Sequence, residues 1–210
     1  VKHLRRNVFK RHKVADMTLA LAARAAHERR DGGPVLLVDV GCGWGELLGL
    51  VMERMPPDLR RRCMPHGVEL STELARLSNE ALAPFGGHCE HASAVEGMAR
   101  FSPGSLDVIV LSSFLEHEIA PLPLLRHCRE ALREGGVVLV KVPNHASWNR
   151  TLRGARWCGY RWPDHVNYFS PETLRTMAGK AGLEVERLSW LDRFPLSDSL
   201  YAVLRRTAAR

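Results

Sequence analysis

Short, nearly continuous apolar runs alternate along the chain with stretches whose apolar positions return every three or four residues. The runs at Val35–Val40, His66–Leu70, Leu106–Leu111 and Val137–Val142 read as strands, with a weaker one at 88–92. Continuous rather than alternating apolarity predicts parallel strands covered on both faces. The intervening segments predict helices. One spans about 45–55 and stops at Met55-Pro56-Pro57, because proline cannot continue it. A second follows Ser71, its cap, and presents Leu74, Leu77, Ala81 and Leu82 on one face. A third spans 121–134 and is closed by Gly135-Gly136, and a fourth runs from Ser170-Pro171 to 179–182. Strands at 183–190 and 200–205 are joined by Asp192–Ser199, short enough for an antiparallel hairpin. Alternating strands and helices predict an α/β fold with a Rossmann-like, doubly wound sheet. The sheet is expected to have seven strands, mostly parallel with one antiparallel. Ligands of such sheets lie at the carboxyl ends of the strands, where the strand order reverses.

The first apolar run leads straight into Asp39, Gly41, Cys42, Gly43, Trp44 and Gly45, and then into the helical pattern that starts at Glu46. A strand that turns into a helix through glycines lets a ligand approach the backbone. The dinucleotide fingerprint G-x-G-x-x-G does not fit, because the third glycine comes one residue early and Glu46 follows it. A carboxylate at a helix start repels phosphate and suits a cation. The D-x-G-x-G-x-G spacing resembles motif I of the class I methyltransferases, whose cofactor S-adenosylmethionine (SAM) carries a positive sulfonium.

The resemblance runs from residue 35 to 206. It includes Glu69 at the end of the second strand, Ser105-Leu-Asp-Val-Ile-Val-Leu111, Phe114-Leu-Glu-His117, Ala131-Leu-Arg-Glu-Gly-Gly136, Lys141-Val-Pro-Asn144 and Phe169-Ser-Pro-Glu-Thr-Leu174. This ordered set is similar to the ubiquinone-biosynthesis-type subgroup of small-molecule methyltransferases. The resemblance implies SAM as cofactor, with Glu69 on the ribose hydroxyls and Leu70 beside it. Ser93 and Ala94 are implied at the adenine and Leu111 among the cofactor-binding residues; Ser93 stands where the family often has an acidic residue. Trp44 either packs on the cofactor or covers the helix start.

Composition narrows the setting. The 210 residues are expected to form one catalytic domain over 31–210, preceded by a basic helical arm over 1–30. That arm carries nine Lys or Arg against Asp16 and Glu28, which accounts for the whole net charge of +7; the remainder holds 21 residues of each sign. A nucleic-acid binder usually shows a basic face on its folded domain, so a small-molecule acceptor is expected and the arm reads as an amphipathic helix over Val14–Glu28. No apolar run reaches the ~18 residues of a membrane span and no secretory leader opens the sequence. Five cysteines without a C-x-x-C pair are expected to be reduced thiols, which suits a cytoplasmic protein.

Methyl transfer to a hydroxyl needs close alignment and a base. Three histidines fall where the active-site mouth is expected: His117, His145 and His165. Some relatives carry E-x-x-E-H and a later histidine that together bind a divalent metal. Here the first glutamate is replaced by Ser113, leaving Glu116, His117 and His165. Loss of a carboxylate removes both charge and a ligand, so whether a metal binds stays open, and His165 is expected to serve as base or orienter. Residues 143–169 hold six aromatics interleaved with Arg150, Arg153, Arg156 and Arg161. They form either a wall for an aromatic or acidic acceptor or a lid packed on itself. Three other readings remain: an RNA 2′-O-methyltransferase, a SAM-fold binding protein without catalysis, and a nicotinamide oxidoreductase. The last is opposed by the glycine spacing and by the lack of a Tyr-x-x-x-Lys pair.

Overall fold

The computed structural model describes residues 2–29, 31–188 and 197–207, and of residues 2–12 the helical backbone alone. Seven strands build one sheet: β1 (Val35–Val40), β2 (Cys63–Glu69), β3 (His88–His91), β4 (Leu106–Ser112), β5 (Leu132–Pro143), β6 (Leu183–Leu188) and β7 (Ser199–Arg206). They lie in the order β3-β2-β1-β4-β5-β7-β6. β1, β2, β3, β4 and β5 pair in parallel, whereas β7 runs antiparallel to both β5 and β6. The chain therefore leaves the edge at β3 and re-enters beside β1 as β4. The order reverses between β1 and β4, and the glycine turn lies at the carboxyl end of that junction.

Among the described residues eight α-helices complete the layers: α1 (Lys2–Glu28), α2 (Glu46–Arg54), α3 (Pro57–Arg62), α4 (Thr72–Leu82), α5 (Ala94–Ala99), α6 (Pro121–Ala131), α7 (Trp148–Arg153) and α8 (Pro171–Lys180). Strand alternation divides the core. On one face Val35, Leu37, Val108, Val110 and Leu139 pack with Val14 and Ala22 of α1 and Leu48, Val51 and Met52 of α2. On the other, Val38, Val40, Ile109, Leu111, Val138 and Val140 pack with Met98 of α5, Leu124 and Cys128 of α6 and Leu174 of α8. By the same alternation Asp39, Ser112 and Lys141 fall on the α1 face, where their strands end.

Several boundaries differ from the sequence reading. The helix expected over 121–134 ends at Ala131, and Gly135-Gly136 lie inside β5 rather than in a cap. The cause is Asp107, wholly buried at the start of β4: it pairs with the guanidinium of Arg133 and with Arg29 at 3.0 Å, and accepts from the Leu36 amide at 2.8 Å. Satisfying that buried charge draws Arg133 out of the helix and leaves a register shift between Leu106 and Val108. α1 extends well before Val14. α3 starts on Pro57, suited to a first helical position, and α5 is capped by Ser93; neither helix was anticipated. β6 ends at Leu188, and the expected continuation to 190 and most of the 192–199 connection lie outside the described residues. Among the described residues no helix is long and apolar enough to cross a membrane.

Candidate active site

The turn after β1 is held open by its glycines. Gly41, Gly43 and Gly45 have φ of 70°, 58° and 82°, in the left-handed region that side chains rarely adopt. Their surroundings differ. A Cβ on Gly41 would lie 2.2 Å from the Phe114 ring, whereas one on Gly43 would meet nothing within 4 Å. Gly43 faces a cavity of about 380 Å³ bounded by Asp39, Gly41, Cys42, Trp44 and Ser112, with Val14 of α1 on its far side. Trp44 is half exposed there, and Glu46 lines the cavity at the start of α2.

Besides Glu46, one carboxylate lines this cavity, Asp39, and another, Glu69, braces its glycine turn. Glu69, at the tip of β2, accepts from the Gly43 amide with Oε2 and from the Ser71 amide with Oε1, both at 2.9 Å. It thereby ties the glycine turn to the start of α4, and the residue as a whole is half-buried. Asp39 is 4% exposed. Burial, reinforced by the neighbouring Cys89 and Glu69, pushes its carboxyl up to about 8. A cation entering the cavity would offset that penalty.

The remaining predicted cofactor residues are placed unevenly. Cys42 is buried, its Sγ 3.3 Å from Ser78 Oγ and 3.6 Å from Cys89 Sγ. All five cysteines are free thiols. Leu70 is largely exposed beside Glu69. Ser93 caps α5 through the Glu96 amide, and Ala94 is buried in the first turn of that helix. Leu111 is wholly buried and points into the opposite core. The next residue, Ser112, reaches the cavity instead.

Of the three histidines, two come together. His117 and His165 stand edge to face with ring centroids 4.6 Å apart. His117 Nδ1 bonds the Asp164 carbonyl and His165 Nδ1 the Gly159 carbonyl, each at 2.7 Å. A carbonyl only accepts, so each Nδ1 carries a proton, and in the neutral ring each Nε2 presents a lone pair. Burial lowers the His165 imidazole below its ordinary value, outweighing the bond to Gly159. Glu116 is 2% exposed, its Oε2 has no hydrogen-bond partner among the described residues, and burial raises its carboxyl against the opposing charges of Lys141, His117 and Arg161. The Glu116 carbonyl accepts from the amides of Val166 and Asn167, and Asn167 Nδ2 reaches the Leu115 and Glu118 carbonyls. These bonds clamp the segment after β4 to the segment bearing His165.

His145 stands apart in an aromatic cluster. Its Nε2 is 3.2 Å from the Tyr160 hydroxyl, and its ring lies 6.1 Å from Trp157 and 5.7 Å from Tyr168. Asp198 pins this segment by accepting from Trp157 Nε1, Asn149 and Ser147. The loop is thus largely packed on itself around buried Trp157, while Trp148 and Trp162 remain exposed.

Residues 4–188 match the profile of a family described as methyltransferase domain. The chain belongs to this methyltransferase family. It is 28% identical over 178 residues to a ubiquinone biosynthesis O-methyltransferase of Cupriavidus pinatubonensis, covering 81% of this chain and 68% of that relative. Among solved structures, a SAM-dependent methyltransferase from Archaeoglobus fulgidus superposes with a TM-score of 0.61 at 18% identity, covering 92% of this chain and 94% of that one. The O-methyltransferase NcsB1 of neocarzinostatin biosynthesis, solved with SAM and 2-hydroxy-5-methyl naphthoic acid, superposes with a TM-score of 0.57 at 23% identity. That match covers 82% of this methyltransferase and 49% of NcsB1, so the present chain spans about half the NcsB1 length. The enzyme is a SAM-dependent methyltransferase with a Rossmann-like sheet.

The methyltransferase also answers whether a divalent cation suits its histidine cluster. One ligand atom each from Glu116, His117 and His165 lies within 4.8 Å of the others. Against this, Ser113 takes the place of a carboxylate, and the Lys141 ammonium donates to Ser113 Oγ. Ser113 holds a left-handed backbone, φ 56°, with its amide on the Lys141 carbonyl at 2.8 Å. The cluster thus offers one carboxylate and two imidazoles, and the positive charge of Lys141 acts on that carboxylate, which weighs against a hard divalent ion. Sequence reasoning passed over Ser112 and Lys141. Lys141 stood in a quoted motif and Ser112 directly follows one, and their placement follows from counting two residues on from Leu139 and Val110 along the α1 face.

Proposed function

We propose that the methyltransferase transfers the methyl group of SAM to a hydroxyl oxygen of a small-molecule acceptor, with His165 as base. The observation that carries this reading is the fixed tautomer of His165, whose Nε2 lone pair is presented beside His117. When bound, SAM supplies an electrophilic methyl on a cationic sulfur. The Asp39, Gly41, Cys42, Gly43 and Gly45 turn would hold it, with Glu69 and Leu70 at the ribose and Ser93 and Ala94 toward the adenine. Asp39 and Glu46 supply negative charge for the cation. The acceptor oxygen forms the O–CH3 bond as the S–CH3 bond breaks, the sulfur leaves as a neutral thioether, and the hydroxyl proton passes to His165 Nε2. Alignment of the acceptor contributes most of the acceleration, and a positioned base typically adds 10²–10⁴-fold.

In this reading residues 31–210 are the catalytic domain, preceded by the arm over 1–30, whose Val14 lines the cavity. The exposed aromatics and arginines of 148–162 border the acceptor's path and suit an aromatic or acidic molecule. The test is transfer of label from [methyl-³H]SAM to a panel of phenols, sugars and hydroxycarboxylates, for wild type and His165→Ala. Label in an ether product that falls at least a hundredfold in the variant supports the reading. Equal transfer by both proteins removes His165 from the chemistry.

A further inference from the structure

We propose that Cys42 and Cys89 form a peroxide-sensitive dithiol site, whose reversible disulfide weakens cofactor binding by displacing the glycine turn. This rests on SAM binding at that turn, as proposed above. The two sulfurs lie 3.6 Å apart and both residues are buried. They pack with Ala75 of α4 in a small cluster apart from the two main core layers, and Cys42 Sγ also lies 3.3 Å from Ser78 Oγ. The thiols meet because β2 places no side chain between them. Gly67 pairs in register with Asp39 of β1 and with Cys89 of β3. A Cβ on Gly67 would lie 2.5 Å from Cys42 Sγ and 2.9 Å from Cys89 Sγ. The space that a side chain of β2 would fill is thus taken by two sulfurs.

The two residues are held differently. Cys89 lies in a paired strand, its amide donating to Asn79 Oδ1 at 2.8 Å and its carbonyl accepting from Asn79 Nδ2 at 3.1 Å. Cys42 belongs to the turn and lines the cavity of about 380 Å³, which gives a small oxidant a route to the pair. The hydrogen bond from Cys42 holds the Cys89 thiol below its ordinary value, so Cys89 is the sulfur that ionises first. Its thiolate attacks one oxygen of hydrogen peroxide, the O–O bond breaks, and a sulfenic acid and water form. Cys42 then attacks the sulfenic sulfur. The S–S bond forms as the S–O bond breaks, and the leaving oxygen departs as a second water with the Cys42 proton. Two thiols are oxidised and one peroxide is reduced to two waters. A disulfide needs its sulfurs about 2.05 Å apart, and the closing movement falls on the turn because Asn79 anchors Cys89. Gly41 and Gly43 flank Cys42, so the bare backbone that borders the cavity moves with it. A dithiol reductant reverses the bond by exchange.

The test treats the protein with hydrogen peroxide, maps its unreduced peptides by mass spectrometry, and titrates the reduced and oxidised forms with S-adenosylhomocysteine. A disulfide joining Cys42 to Cys89 is expected, with Cys63 and Cys128 left as thiols and the bond reversed by dithiothreitol. The oxidised protein should bind S-adenosylhomocysteine about tenfold more weakly, or worse. Cys89→Ser should keep its own affinity through the same treatment, because Cys42 has lost its partner. The proposal is overturned if peroxide leaves both cysteines as thiols, carries either to a sulfinic acid, or joins either to a different cysteine. It is equally overturned if the disulfide form binds as tightly as the reduced form, or if Cys89→Ser loses affinity as wild type does. The peptide map needs no ligand. Failure of the reduced protein to bind S-adenosylhomocysteine is therefore a separate result, and strikes the placing of the cofactor on the turn.

Discussion

The Gly43 amide donates to the Glu69 carboxylate at 2.9 Å, joining a turn after β1 to the tip of β2. One bond sets two parts of the proposed cofactor site against each other: the bare backbone of the turn and the carboxylate proposed to read the ribose. A hydrogen bond to an ionised group is worth about 1.5–3 kcal/mol, so the carboxylate is held before any ligand arrives. Glu69→Ala is expected to weaken SAM by about 1–3 kcal/mol. Glu69→Gln should lose less, because one amide contact survives. Calorimetric titration measures both, and an unchanged affinity would place the ribose elsewhere.

Gly41 and Gly43 predict opposite failures. Gly41→Ala drives a methyl into the Phe114 ring, 2.2 Å away, and should destabilise the fold by more than the ~1 kcal/mol of left-handed strain. Part of that loss should return in Gly41→Ala/Phe114→Ala, read by denaturant unfolding. Gly43→Ala meets open space and should cost little beyond the strain, while reducing SAM affinity.

Asp39 gives a pH signature with a defined sign. Its carboxyl sits near 8 in the folded protein against 3.8 as the reference value, so between them the ligand-free fold holds a proton that the unfolded chain has released. The contribution is complete below about pH 4 and lost as pH rises through about 8. Asp39→Asn should remove this fall, so its stability curve diverges from wild type most above pH 8. Cationic SAM favours the carboxylate, so wild-type affinity should rise from pH 6 to 8 with release of a proton. Titration in buffers of different ionisation enthalpy detects that proton. A flat affinity, or proton uptake, would separate Asp39 from the cofactor's charge.

His165 and His145 should separate kinetically. His165→Ala is expected to lower kcat with little change in SAM affinity, and the acid limb of the wild-type rate should fall below the ordinary imidazole value of 6.5. His145 bonds Tyr160 within the aromatic cluster, so His145→Ala should affect KM for the acceptor or stability rather than kcat. Equal losses of kcat would make both structural or both catalytic.

The sheet, its reversed strand and the glycine turn were legible because they rest on local rules: apolar runs, glycine spacing and capping by Ser71 and Ser170. The end of α6 was not, because it depends on Arg133 meeting Asp107 across the sheet. The pairing of His117 with His165 was foreshadowed by motif order. Its cause was not legible, since the tautomers depend on the Asp164 and Gly159 carbonyls of an irregular loop. Lys141 lay in a recognised motif without a role. Its place on the α1 face follows from strand phase and from the register with Ser112, which a single sequence does not display.

The most direct test of the account is calorimetric titration of SAM into wild type and Gly43→Arg. The account predicts one-site binding to wild type and none to the variant, whose side chain would fill the cavity that Gly43 faces. Retained affinity in a folded Gly43→Arg protein would contradict the placement of the cofactor on the turn from Asp39 to Gly45.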